Sequence, residues 1–139
     1  MSAKVFIDTN VLVYAHDIDA GLKRDKARNI LLTLSQERSG AVSMQVLQEF
    51  YVTVTRKLAA PLSKRDARSI VEDFSYWCVA TSSEQISQAF HIEDEAGISF
   101  WDALIVAAAA KAGATRILSE DLNSGQTIAG VVVENPFVQ

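Results

Sequence analysis

Residues 99–121 read SFWDALIVAAAAKAGATRILSED. An acid, Asp102, stands in what would be the first turn of a helix opened by Ser99. Apolar residues then run through Ala103–Ala110, and Gly113 marks a stop before the β-branched run Thr115–Leu118. Two further acids, Glu120 and Asp121, close the stretch. A helix feeding a short apolar strand is one half of a β-α-β crossover, and such crossovers build parallel sheets. In open parallel sheets ligands bind outside the carboxyl ends of the strands. The acids following Leu118 therefore stand where a site is expected.

Working outward, the same alternation recurs. Lys4–Ile7 is a β-branched and aromatic run that predicts a strand. Leu22–Arg38 carries Leu22, Ala27, Ile30, Leu31 and Leu34 at helical spacing. Gly40–Ser43 predicts a short buried strand, and Met44–Leu58 a helix ended by Pro61. Ser63, with Asp66 three residues on, opens a helix expected to reach about Trp77. Cys78–Ala80 predicts a third strand, Ser83–Ala96 a helix stopped by Gly97, Thr115–Leu118 a fourth strand and Val131–Glu134 a fifth. The expected fold is α/β: a parallel sheet of four to five short strands with helices on both faces, a three-layer sandwich. No repeat or linker interrupts it, so residues 1–139 are expected to form one domain.

Composition narrows the class. The chain has 139 residues, about half of them apolar, enough for a real core. Its net charge of −4 is unlike that of a basic nucleic-acid binder. The single cysteine, Cys78, excludes an internal disulfide and reads as a small core residue beside Trp77. MSAKVFIDTN lacks the apolar stretch of a signal peptide, and the apolar run Ala103–Ala110 falls short of the roughly 20 residues a membrane span needs. The expected location is the cytoplasm, without membrane contact.

Four acids stand out by position. Asp8 follows the first strand, and Asp121 follows the fourth. Asp102 opens the apolar helix, and Glu49 lies on the helix after the second strand, with Val46 three residues back and Thr53 four on. Each has an ordinary reading: Asp8 as a helix cap, Asp102 as a first-turn acid, Asp121 as a turn residue, Glu49 as a solvated helix acid. Together they would crowd one rim and raise one another's pKa values. A divalent cation removes that conflict. Mg²⁺ and Mn²⁺ take oxygen ligands, keep bound water and stabilise charge on a phosphate. The pattern points to metal-dependent phosphodiester hydrolysis with water as nucleophile.

Four segments carry a resemblance: Phe6-Ile7-Asp8-Thr9-Asn10-Val11-Leu12-Val13-Tyr14, Gln48-Glu49-Phe50, Ser99-Phe100-Trp101-Asp102-Ala103-Leu104-Ile105 and Ser119-Glu120-Asp121-Leu122. In order and spacing the chain resembles the PIN-domain family, and within it the VapC-type toxins of bacterial toxin–antitoxin pairs. That resemblance implies a Mg²⁺- or Mn²⁺-dependent endoribonuclease on a Rossmann-like sheet, cleaving RNA and arresting translation. It implies Asp8 and Asp102 as principal metal ligands, with Glu49 and Asp121 completing the site partly through water. Asn10 and Ser119 match small polar positions that would hold the carboxylates, and Glu120 fills a variable position without a primary role. It also implies an antitoxin partner, a homodimer, and DNA contact only through the antitoxin.

Basic residues cluster at Lys23, Arg24, Lys26 and Arg28, at Arg56 and Lys57, and at Lys64, Arg65 and Arg68. They fit solvated helix faces, or contacts to RNA or to an acidic antitoxin segment. His91 reads as structural, and His16 as structural or substrate-facing. Trp101 reads as core before base-stacking platform. A haloacid-dehalogenase-like phosphohydrolase would need an acid where Asn10 stands. A phosphoacceptor receiver domain would need an Asp after the third strand, where Cys78-Val79-Ala80-Thr81-Ser82 offers none. A housekeeping RNA-processing nuclease and a catalytically inactive binding module of the same fold remain the alternatives.

Overall fold

The computed structural model describes residues 3–138. Five strands form one sheet in the order β2-β1-β3-β5-β4: β1 Lys4–Ile7, β2 Gly40–Ala41, β3 Ala114–Leu118, β4 Thr127–Ile128 and β5 Val131–Glu134. The helices are α1 Thr9–Ala15, α2 Leu22–Glu37, α3 Met44–Arg56, α4 Lys64–Phe74, α5 Ser83–Ala96 and α6 Phe100–Lys111. The pairs β1–β2, β1–β3 and β3–β5 are parallel. Val5, Phe6 and Ile7 are all buried. Neighbouring strand residues point to opposite faces, so both faces of β1 are covered. The sheet is the middle of three layers.

Local chemistry sets the helix ends. Ser43, Ser63 and Ser99 cap α3, α4 and α6, each hydroxyl accepting from the backbone N–H three residues on. Gly97 ends α5 in the left-handed region at φ 67°, which suits a residue without Cβ. Helix α6 is almost wholly buried from Ala103 to Ala109, the most apolar of the longer helices and part of the core.

Three expectations need correcting. Cys78–Ala80 is not a strand. The chain arrives there from a 3₁₀ turn at Ser75–Trp77 and makes a single parallel bridge, Val42 to Cys78, before the Gln85 amide takes the Ala80 carbonyl at 3.1 Å. The sheet is not wholly parallel: β4 pairs antiparallel with β5. A two-residue turn, Ala129 at φ 51° and Gly130 at φ 79°, joins them in the geometry that suits hairpins. Pro61 does not end α3. The helix stops at Arg56, and the chain folds back so that the Leu62 N–H reaches the Val54 carbonyl at 2.8 Å.

The register of β1 against β3 fixes the rim. Ile7 lies opposite Leu118, so the two strands end together. The next residues continue the pairing: the Asp8 N–H donates to the Leu118 carbonyl at 3.0 Å, and the Ser119 N–H to the Glu134 carbonyl at 2.9 Å. Asp8 and Ser119 thus leave adjacent strands at the same edge.

Candidate active site

An open cleft of about 580 Å³ lies over that edge, and Asp8, Glu49, Asp102 and Asp121 all line it. They come from four separate segments: the end of β1, the middle of α3, the first turn of α6 and the loop after β3. Asp8 is buried, Asp102 half-buried, and Glu49 and Asp121 exposed.

Asp8 does two jobs. It is the N-cap of α1, and its carboxylate is tied at both oxygens. The Thr9 N–H donates to Oδ1 at 2.7 Å, and the Ser119 hydroxyl donates to Oδ2 at 2.6 Å. Its pKa nevertheless rises to about 6. Burial is the largest cause; the two hydrogen bonds pull it down, and the charges of Asp121 and Glu49 push it up again.

The other acids are also held. The Asn10 amide donates to Asp121 Oδ2 at 3.2 Å. The Thr9 hydroxyl donates to Glu49 Oε1 at 2.9 Å. The Asp102 N–H donates to the Ser99 hydroxyl at 3.1 Å, which fixes the turn that presents its carboxylate to the cleft. Ser119 is fully buried, and its oxygen also accepts from the Asp121 N–H at 3.1 Å. Asn10 and Ser119 therefore hydrogen-bond to Asp121 and Asp8.

Glu120 does not line the cleft, although its partner Tyr14 does. Its carboxylate pairs with Lys23 Nζ at 2.6 Å and accepts from the Tyr14 hydroxyl at 2.5 Å. Burial alone would raise its pKa, but the Lys23 and Tyr14 contacts outweigh that and lower it. No motif flagged Lys23 and Tyr14 as partners of this loop. Thr9 was also missed, although its place between Asp8 and Asn10 is a signal for a polar role.

The remaining candidates distribute unevenly. Trp101 is 64% exposed and lines the cleft, so the core expectation is overturned. It sits one residue before Asp102, on the side of α6 that faces the rim. His91 is exposed, so it is no core histidine. His16 lies outside the cleft, its Nδ1 2.9 Å from the Leu12 carbonyl and its ring edge-on to Phe50 and Phe74. Burial lowers its pKa, and the charges of Arg28 and Arg24 add to that. Cys78 is half-buried against the core. Of the basic residues, Lys57 lines the cleft, Arg24 and Arg28 border a second pocket beside His16, and Arg68 Nε donates to the Tyr51 hydroxyl at 3.3 Å.

Whether this site suits a metal turns on its donors. The four acids, with Thr9 and Asn10, offer only oxygen and amide groups, which match a hard cation. Among the described residues no three acidic, histidine or cysteine side chains form a ready cage. That arrangement fits Mg²⁺, which dehydrates reluctantly and is usually held by one or two carboxylates and several waters. It does not fit a closed structural zinc site.

Known proteins supply the remaining comparison. The family model of the PIN domain matches residues 5–126. The chain is 32% identical to Ribonuclease VapC7 of Mycobacterium tuberculosis (strain ATCC 25618 / H37Rv) over 122 residues, 84% of this chain and 81% of that protein. In fold it is similar to a toxin–antitoxin complex from Klebsiella pneumoniae, with a TM-score of 0.67, 22% identity and 98% of both chains covered. It is also similar to a DNA-bound VapBC from Salmonella typhimurium, with a TM-score of 0.68, 16% identity and 97% and 99% covered.

Proposed function

The chain belongs to the PIN-domain family, and from that premise we propose that it is a divalent-metal-dependent endoribonuclease, the toxin of a toxin–antitoxin pair. The observation that carries this reading is the convergence of Asp8, Glu49, Asp102 and Asp121 on one cleft from four segments of the chain. A relative named as a ribonuclease supports the choice of RNA over other phosphodiesters. The family unit is taken to span residues 1–139.

Asp8 and Asp102 would hold Mg²⁺ or Mn²⁺, with Glu49 and Asp121 reaching it partly through water. When bound, the cation supplies a water of lowered pKa and stabilises charge on the phosphoryl oxygens. The chain's own residues do the positioning. The Ser119 hydroxyl and Thr9 N–H aim both Asp8 oxygens, and a bound cation would offset the burial and charge crowding that raise its pKa. Asn10 orients Asp121, and Thr9 orients Glu49. Among the described residues Lys57 is the basic side chain that lines this cleft, and it would meet a substrate phosphate.

Structural neighbours in which such a chain is complexed with an antitoxin support a cognate antitoxin here, with DNA reached only through that partner. A homodimer and a cytoplasmic location complete the reading. No helix among the described residues is long and apolar enough to cross a membrane. The testing experiment is induced expression of wild type and Asp8→Asn, with and without the neighbouring gene, followed by sequencing of RNA ends. Growth arrest and new RNA ends with wild type alone, both relieved by the neighbour, are expected. Equal arrest by both forms would leave the acids without a role and favour a binding module. No arrest by either would favour a housekeeping nuclease.

A further inference from the structure

The loop Ser119–Asp121 carries Asp121 and the serine that holds Asp8, yet it lies beyond the last residue of β3. The sheet still holds Ser119, whose N–H donates to the Glu134 carbonyl at 2.9 Å, but Glu120 and Asp121 lie past that last bond and need a further anchor. Glu120, between the two, is anchored at three points. Its N–H donates to Asn10 Oδ1 at 3.1 Å. One carboxylate oxygen accepts from the Tyr14 hydroxyl on α1 at 2.5 Å, and the other meets Lys23 Nζ on α2 at 2.6 Å. Lys23 Nζ also lies 4.9 Å from the centre of the Tyr14 ring, and that ring packs edge-on against Phe137 at 5.1 Å. Two helices and the loop therefore converge on one carboxylate.

An ordinary ion pair this exposed contributes little. Here both carboxylate oxygens and the adjoining N–H are engaged at once, which restrains rotation of the residue about its backbone. Since Asn10 also donates to Asp121 at 3.2 Å, holding Glu120 against Asn10 holds Asp121 as well. The geometry points to Tyr14, Lys23 and Glu120 as a latch that positions Asp121 and Ser119, and through Ser119 the Asp8 carboxylate, for cation binding. These are positioning residues, and the latch rests on the metal-nuclease reading above.

A purely electrostatic role predicts the opposite sign. Lys23 is a positive charge near an acidic site, so removing it by charge alone would tighten cation binding. The test is Mn²⁺ affinity of the full chain, read from the free-Mn²⁺ paramagnetic resonance signal without RNA. Wild type, Tyr14→Phe and Lys23→Met are compared, with urea midpoints as the folding control. Tyr14→Phe keeps the ring packing and changes no charge. Both variants are expected to bind Mn²⁺ about threefold to tenfold more weakly, the range that loss of one ordinary, partly solvated hydrogen bond implies. Tighter binding by Lys23→Met, or affinities of both variants within twofold of wild type, would overturn the latch. If wild type itself binds no Mn²⁺, the metal-nuclease reading falls and the latch with it, a result distinct from weak effects of the variants alone.

Discussion

Replacing Asp8 by Asn should make the metal-free protein more stable at neutral pH. Asp8 is 7% exposed, and its carboxyl titrates at about 6 in the folded chain against 3.8 as the ordinary value. Its folded pKa is the higher one, so the folded state binds more protons between those pH values. Stability therefore falls as pH rises from about 4 to 6, and the loss is complete above that. The difference corresponds to about 3 kcal/mol at pH 7. Asn caps a helix as well as Asp and can still accept from the Thr9 N–H. It disturbs the bond from Ser119, worth about 1 kcal/mol or somewhat more. The expected net gain in EDTA at pH 7 is about 1–2 kcal/mol, passing through zero between about pH 5 and 4 as the titration contribution drops below the hydrogen-bond cost. Urea unfolding at both pH values reads this directly, as a shift in midpoint at constant slope. Adding Mn²⁺ should reverse the order, since a ligand at 100 times its Kd adds about 2.7 kcal/mol to the form that binds it. An Asp8→Asn protein less stable than wild type in EDTA at pH 7, or a difference that does not change with pH, would refute the reasoning.

Four further outcomes follow from the same structure. Asp102→Asn should lower RNA cleavage by about 100-fold or more while costing less than about 1 kcal/mol of stability, since a first-turn acid contributes only a dipole term; parallel nuclease and urea assays check both halves. Cleavage should stop in EDTA and return with Mg²⁺ or Mn²⁺, and restoration by zinc alone would contradict the oxygen-donor argument. Gly40→Ala should destabilise by about 1–3 kcal/mol, because the added Cβ would fall 2.4 Å from ring carbons of Trp77; its thermal midpoint measures this. Trp101→Ala should leave stability within about 0.5 kcal/mol of wild type, because the ring is 64% exposed, and a larger loss in urea would return Trp101 to the core.

The strands that build the site were legible because each is a compact apolar run with an acid within three residues of its end. Val5–Ile7 before Asp8 and Ile117–Leu118 before Ser119 need only the strand-end rule to reach one rim. What stayed hidden has physical causes. Helix α6 is apolar on every side, so its pattern carries no phase, and nothing in the sequence says which way Trp101 faces. Strand β4 is two residues long, and its turn is Ala129–Gly130 rather than the usual Asn-Gly signal. Cys78–Ala80 has strand-like residues, but the 3₁₀ turn before it and the Gln85 contact after it leave room for one bridge. The Glu120 contacts join residues as much as 110 positions apart, and no local rule reports on such pairs.

The ordinary and functional readings of the acids are not rivals in this fold. Asp8 caps α1 and lines the cleft; Asp102 occupies the first turn of α6 and lines it too. Both places are helix N-termini, where the positive end of the helix dipole favours a negative side chain. Helices leaving the carboxyl rim of a parallel sheet point their N-termini at that rim, so the topology that gathers the acids also lowers the cost of gathering them. The compensation is incomplete, since Asp8 still titrates at about 6. Burial is the main cause and the charges of Asp121 and Glu49 a smaller one, and a cation would offset both. Acids at both ends of the α6–β3 unit are thus the consequence of one strand edge: α6 starts at the rim with Asp102, crosses the core, and the chain returns through β3 to the same rim at Asp121.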